Sequence, residues 1–152
     1  MTTISLRRLA PADLAAAAGL LRLLNPESPA AVIAERLAII LTDHSHYELV
    51  GAFSADGKLR GLAGGWIATK IWCGRYLEID NLVVDENWRS TGIGSRLIKH
   101  FEQIAKERDC KILALDSYTA NRPSHRLYHR LGFEIWGFHF IKPIGDWKGP
   151  GC

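Results

Sequence analysis

Apolar and polar positions along the chain alternate between two periods. Ile4-Ser5-Leu6-Arg7 switches at every residue, as a strand with one covered face does. Leu14, Ala17, Ala18, Leu21 and Leu24 then recur at helical spacing, with Pro11 ahead of them and Asp13 at the N-cap position. Asn25-Pro26-Glu27-Ser28-Pro29 ends that helix. A second is predicted over residues 30–41, with Val32, Ile33, Leu37, Ile40 and Leu41 as its apolar face. Residues 47–53 return to a strand pattern. Ala55-Asp56-Gly57-Lys58 predicts a hairpin turn, because Asp-Gly accepts the positive φ of tight hairpins. A long strand over 59–71, a turn at Cys73-Gly74-Arg75 and a strand over 76–84 complete an antiparallel meander.

After Val84 the period changes again. A glycine-bearing loop, Trp88 to Gly94, leads into a helix running to about Arg108, with Ile93, Leu97, Ile98, Phe101, Ile104 and Ala105 on its buried side. Ile112-Leu113-Ala114-Leu115-Asp116 is a short, mostly apolar run, as expected of a buried strand. A short helix over 123–131 stops at Gly132, a residue suited to a helix C-terminus. Residues 133–141 predict a last, aromatic-rich strand, and residues 143–152 a loose tail. The order is β-α-α-β-β-β-α-β-α-β, one α/β domain over residues 1–152, with a mixed, mostly antiparallel sheet flanked by helices.

Composition narrows the class. The 152 residues suit a single core, and 47% hydrophobic with 23% charged residues is ordinary for a globular protein. A net charge of +3, mixed in sign along most of the chain, is too weak to indicate nucleic acid, but suits a small polyanion. Cys73, Cys110 and Cys152 are widely spaced, without a disulfide or zinc pattern. The six histidines form no ligand motif such as HExxH, so no metal is expected. Arg7-Arg8 ahead of Leu14-Ala15-Ala16-Ala17-Ala18 faintly suggests a leader, but Pro11, Asp13 and Arg22 break it up. No run nears the roughly 18 apolar residues of a membrane span. The expected location is cytoplasmic, with neither membrane nor nucleic acid as partner.

The candidate chemistry sits in Arg89-Ser90-Thr91-Gly92-Ile93-Gly94, which joins a strand directly to a helix. A helix start offers unpaired N–H groups and the positive end of the macrodipole, and glycines let an anion approach the backbone. Arg89, Arg96 and Lys99, then Arg122, Arg126 and Arg130, add positive charge nearby. No Lys-Ser or Lys-Thr follows the glycines, so this is no Walker A loop, and the glycine spacing is not that of a dinucleotide fingerprint.

Asn81-Leu82-Val83-Val84-Asp85-Glu86-Asn87-Trp88 before that loop, with the (Q/R)xxGxG pattern from Arg89 to Gly94, resembles the signature of the GNAT N-acetyltransferases. Asn121, followed seven residues later by Tyr128 and then by Gly132-Phe133, resembles the family's second hallmark. Within the superfamily the similarity is to the spermidine/spermine-type diamine acetyltransferases and related bacterial enzymes. One position departs: Ser90 stands where the family usually has glycine.

The resemblance implies a GNAT fold and acetyl-CoA as cosubstrate. Backbone N–H groups of Arg89, Ser90, Thr91, Gly92, Ile93, Gly94 and Ser95 would hold the pyrophosphate. Leu82, Val83 and Val84 would pair with the pantetheine arm as an added strand, and Asn121 would contact the cofactor. Tyr128 would act as the general acid that protonates the departing thiolate. Asp80 aligns with a substrate-contacting acid of the polyamine enzymes, which often carry a second acid where this chain has Asn81. Glu78, two residues back, shares its strand face. Deprotonating an amine of pKa near 10.4 at pH 7 costs about 4.6 kcal/mol, so a carboxylate beside the acceptor is useful. The implied activity is direct acetyl transfer to a primary amine, expected to belong to a small molecule. Acetylation of a protein N-terminus or lysine, or a non-catalytic acyl-CoA-binding module, are the alternatives. A homodimer is compatible with the resemblance.

Overall fold

The computed structural model describes residues 3–147. Five strands form one sheet in the order β1-β2-β3-β4-β5: Ile4–Arg8, Tyr47–Ser54, Leu59–Lys70, Gly74–Val84 and Ile112–Leu115. The first four pair antiparallel, and β5 joins β4 in parallel. Helix α1 (Leu14–Leu21) and α2 (Ala30–Asp43) connect β1 to β2. Helix α3 (Ile93–Glu107) is the crossover between β4 and β5, and α4 (Arg122–Arg130) follows.

Two cores lie against the sheet. Leu97, Ile98 and Phe101 of α3 pack on Val50, Leu77 and Ile79. Ala17, Leu21, Ile33 and Leu37 of α1 and α2 pack on Tyr47, Leu49, Leu62 and Val83. Strand β2 is buried along its whole length, with helices on both faces of the sheet. That burial includes Glu48, whose carboxylate is held by Arg8 and by Arg108 at the end of α3. A buried charge persists when it is paired, and here both partners reach in from solvent.

Three expectations are corrected. The strand predicted over 133–141 has no ladder partner among the described residues, so the observed order ends at α4. Its aromatic alternation is real, but a strand needs a neighbour's backbone. Ile135, Trp136, Phe138 and Phe140 stand exposed instead, tethered through Trp136 beside Trp72 and His139 on Asp116. Helix α1 ends at Leu21, three residues early, and Leu24 is exposed. Asp13 stands at the N-cap of α1 but does not cap it. Its carboxylate accepts from Ala10 N and the Arg7 guanidinium, a charged partner that outcompetes the helix amides. Of the tail, residues 148–152 with Cys152 lie outside the described residues.

Candidate active site

The loop after β4 is braced before it reaches α3. Asp85 accepts from Asn87 N at 3.0 Å and so caps a single 3-10 turn, Glu86–Trp88. The Arg60 guanidinium bonds Asp85 at 3.3 Å and lies over the Trp88 ring, while the Thr91 hydroxyl donates to Trp88 O at 2.6 Å. Ser90 and Gly92 take positive φ, 62° and 87°, and Gly92 is the N-cap of α3. Nothing lies within 4 Å of where a Cβ on Gly92 would sit, so glycine serves the backbone angle and the approach to the turn stays open. The first amide of α3 to find a backbone acceptor is Arg96 N, on Gly92 O at 3.0 Å. The amides of Ile93, Gly94 and Ser95 before it have no acceptor within the helix, the general condition of a helix start. At Gly94 a Cβ would meet Leu127 Cδ2 of α4 at 3.5 Å, an ordinary contact. Of the nearby cations, Arg96 is already committed to Ile4 O and Arg89 to Glu86, both through side-chain contacts. Arg122, Arg126 and Arg130 are exposed on α4.

The sheet opens next to this turn. Pairing between β4 and β5 ends at Ile79↔Leu115, yet β4 runs on to Val84. From Asp80 onward its edge toward β5 has no ladder partner among the described residues. A free strand edge presents alternating donors and acceptors to whatever lies along it. The side chains of Leu82 and Val84 pack into the α3-side core and that of Val83 into the other core, so only the backbone of this segment faces the opening.

The change of face comes from a bulge. Leu62 pairs with Val83 and Gly64 with Asp80, which leaves one extra residue on β4. Asn81, at φ 51°, absorbs it. Asn tolerates left-handed φ, and its type is thereby explained by the backbone as well as by any substrate.

Asp80 lies on the α1/α2 face within a set of neutral donors. Tyr47 Oη donates to Oδ1 at 2.6 Å and Trp66 Nε1 to Oδ2 at 2.8 Å, and Asn81 Nδ2 reaches Tyr47 Oη at 3.4 Å. His44 stands edge-on to Trp66 with ring centroids 5.1 Å apart. No Lys or Arg among the described residues forms an ion pair with Asp80. Burial raises the Asp80 carboxyl above the usual range, and the bonds from Tyr47 and Trp66 oppose part of that rise. Burial and the neighbouring carboxylate push the Tyr47 hydroxyl far up, so it stays protonated and donating. Glu78, expected beside Asp80, pairs across the sheet with Trp66 and Ala114, and no hydrogen bond ties its carboxylate to Asp80.

Tyr128 packs against the α3-side core with its ring edge toward Phe133, centroids 6.1 Å apart. Burial raises its hydroxyl above the ordinary phenol value, with Ser124 as a smaller opposing effect. Asn121 is the exposed N-cap residue of α4 and makes no side-chain cap bond, which leaves its amide available. Tyr128 and Asp80 thus belong to opposite faces of the sheet. Tyr47, and the bond from Trp66 to Asp80, were not expected from the sequence. The signal for them is Gly64-Gly65 inside a strand, where glycine marks a close approach.

Residues 17–133 match the model of the Acetyltransferase (GNAT) family. This chain is a GNAT family member. Streptothricin acetyltransferase of Streptomyces lavendulae is 35% identical over 86 residues, 57% of this chain and 44% of that protein. Aminoalkylphosphonate N-acetyltransferase of Salmonella typhimurium is 28% identical over 114 residues, 70% of this chain and 68% of that protein. The solved structure of aminoglycoside N-acetyltransferase AAC(6')-Iy in complex with CoA shares the fold, with TM-score 0.83 at 21% identity over 95% of this chain and 96% of that one. Against several curated relatives the chain spans about half their length. The GNAT departure at position 90 has a backbone meaning here. Ser90 holds a left-handed φ that glycine adopts freely and other residues pay for with roughly 1–2 kcal/mol.

Proposed function

We propose that this GNAT domain is an acetyl-CoA-dependent N-acetyltransferase that acts on the primary amine of a small molecule. One observation carries the reading: the unpartnered edge of β4 from Asp80 to Val84 leads to the free amides of Ile93, Gly94 and Ser95. A diphosphate fits the helix start, and an arm bearing amides fits the strand edge, as an added strand would. Bound there, acetyl-CoA supplies an activated thioester.

The chain's own groups then have distinct tasks. Asp80 accepts the proton of the acceptor ammonium, directly or through water. Its carboxylate has neutral donors but no cationic partner among the described residues, so an ammonium ion supplies the missing countercharge. A pKa raised by burial makes it a stronger base than an ordinary carboxylate. Backbone N–H groups along the free β4 edge stabilise the oxyanion that forms as the amine attacks. Tyr128, kept protonated by burial, gives a proton to the departing sulfur. The N–C bond forms, the C–S bond breaks, and no covalent enzyme intermediate is required. Glu78, two residues back on the same strand, is the alternative base for that proton.

The relatives named for streptothricin and for aminoalkylphosphonates support a small-molecule acceptor. Isotope-labelled acetyl-CoA with a panel of aminoglycosides, amino-phosphonates, diamines and N-terminal peptides tests this. Label transfer to a small amine is expected; transfer only to peptides would replace the acceptor class. CoA binding without transfer to any amine would leave a binding module.

A further inference from the structure

Asp80 owes its position to a residue that the proposed reaction does not use directly. Tyr47 starts β2 and is buried at 8% exposure, its ring tilted against Trp66 with centroids 4.5 Å apart. Its hydroxyl crosses β3 to reach Asp80 on β4, and the crossing point is Gly64, the residue paired with Asp80. A Cβ on Gly64 would lie 1.6 Å from Tyr47 Oη and 2.5 Å from Asp80 Oδ1. Real Cβ contacts that short do not exist, so the missing side chain is the slot that the hydroxyl fills.

We infer that Tyr47 is a positioning residue for amine acetylation: through the slot at Gly64 it orients Asp80 and, with Trp66, holds the carboxylate in its charged form. The inference rests on the functional reading above. The physical reason is that one oxygen accepts from Tyr47 and the other from Trp66, which leaves a single rotamer satisfying both donors. A hydrogen bond donated to a carboxylate favours its ionised form, opposing the burial that favours the neutral one. The groups facing Asp80 are few. Tyr47 comes from β2, Trp66 from β3 and Asn81 from β4, with His44 behind the Trp66 ring. His44 touches the Trp66 ring instead of the carboxylate.

The test is Tyr47→Phe, which keeps the ring against Trp66 and removes only the hydroxyl. With the best amine of the panel, kcat/KM should fall about 10-fold or more, the equivalent of a hydrogen bond to a charged group. KM for acetyl-CoA should stay as in wild type. Carbon-13 NMR of the Asp80 carboxyl should show its titration midpoint at higher pH in Tyr47→Phe, and the acid limb of the amine pH profile should move the same way. In an Asp80→Asn background, Tyr47→Phe should add nothing to the loss. An unmoved carboxyl midpoint, or losses that multiply independently in the double variant, overturns the inference while wild-type turnover leaves the functional reading intact. A wild type that binds CoA and acetylates no amine overturns the functional reading, and this one with it.

Discussion

Tyr47 and Asp80 meet at 2.6 Å across a strand that separates them, because Gly64 has no side chain to keep them apart. Three strands are thereby locked to one another at the point where β4 bulges and leaves β5 behind. The carboxylate proposed to take the acceptor's proton and the free edge of β4 share this one junction.

Gly64→Ala is expected to break it. The methyl group collides with the hydroxyl end of the Tyr47 ring and with an Asp80 carboxylate oxygen, and overpacking of this kind typically costs about 1–3 kcal/mol. Thermal unfolding should show a clear drop in Tm and amine turnover should fall with it. An Ala variant with wild-type Tm and activity would mean that Tyr47 does not occupy the slot.

Ser90→Gly should act in the other direction at the cofactor loop. Removing the side chain relieves a left-handed φ of 62° worth roughly 1–2 kcal/mol, partly offset by the greater freedom of glycine in the unfolded chain. Calorimetry should find CoA affinity equal to wild type or higher. Ser90→Val, β-branched and averse to that φ, should weaken binding.

Tyr128→Phe should separate binding from chemistry. The ring keeps its packing against Phe133 and the core, so Kd for CoA stays the same. The proton donor is lost, and kcat should fall by about 10²-fold, the low end for general acid catalysis. Because burial raises the hydroxyl's pKa, the wild-type activity should persist to alkaline pH before this group deprotonates. Equal kcat in the two proteins would remove Tyr128 from the reaction.

Asp80→Asn should cost activity and spare stability. The folded-state pKa of Asp80 is raised, so the unfolded chain ionises first as pH rises. Wild-type stability from this group is therefore lost as pH climbs from the ordinary carboxylate pKa up to the folded value, and stays lost above it. The Asn variant, which does not titrate, should equal wild type in acid and match or exceed its Tm at pH 7, with amine turnover reduced by about 10²- to 10⁴-fold and still measurable. A variant less stable than wild type at pH 7 would contradict a burial-raised carboxyl.

The geometry of the proposed cofactor loop was legible in the chain because it is local. Arg89 to Gly94 lie on one turn, and the positive φ at Gly92 and the free amides of α3 follow from a glycine placed at a helix start. The acceptor end was only half legible. Asp80 stands out as an acid on a strand, but its partners Tyr47 and Trp66 are 33 and 14 residues away and carry no motif.

Local periodicity was enough to determine the antiparallel meander, the βαβ crossover and the glycine turn, since each depends on neighbours a few residues apart. Tertiary structure alone decided three things: that β5 stops at Leu115 and, among the described residues, leaves β4 an open edge, that Asn81 bulges and turns Val83 to the other core, and that residues 133–141 find no strand to join among the described residues. Strand pairing, unlike helix formation, requires a partner distant in sequence, and a single chain's pattern of apolar positions does not say where that partner ends.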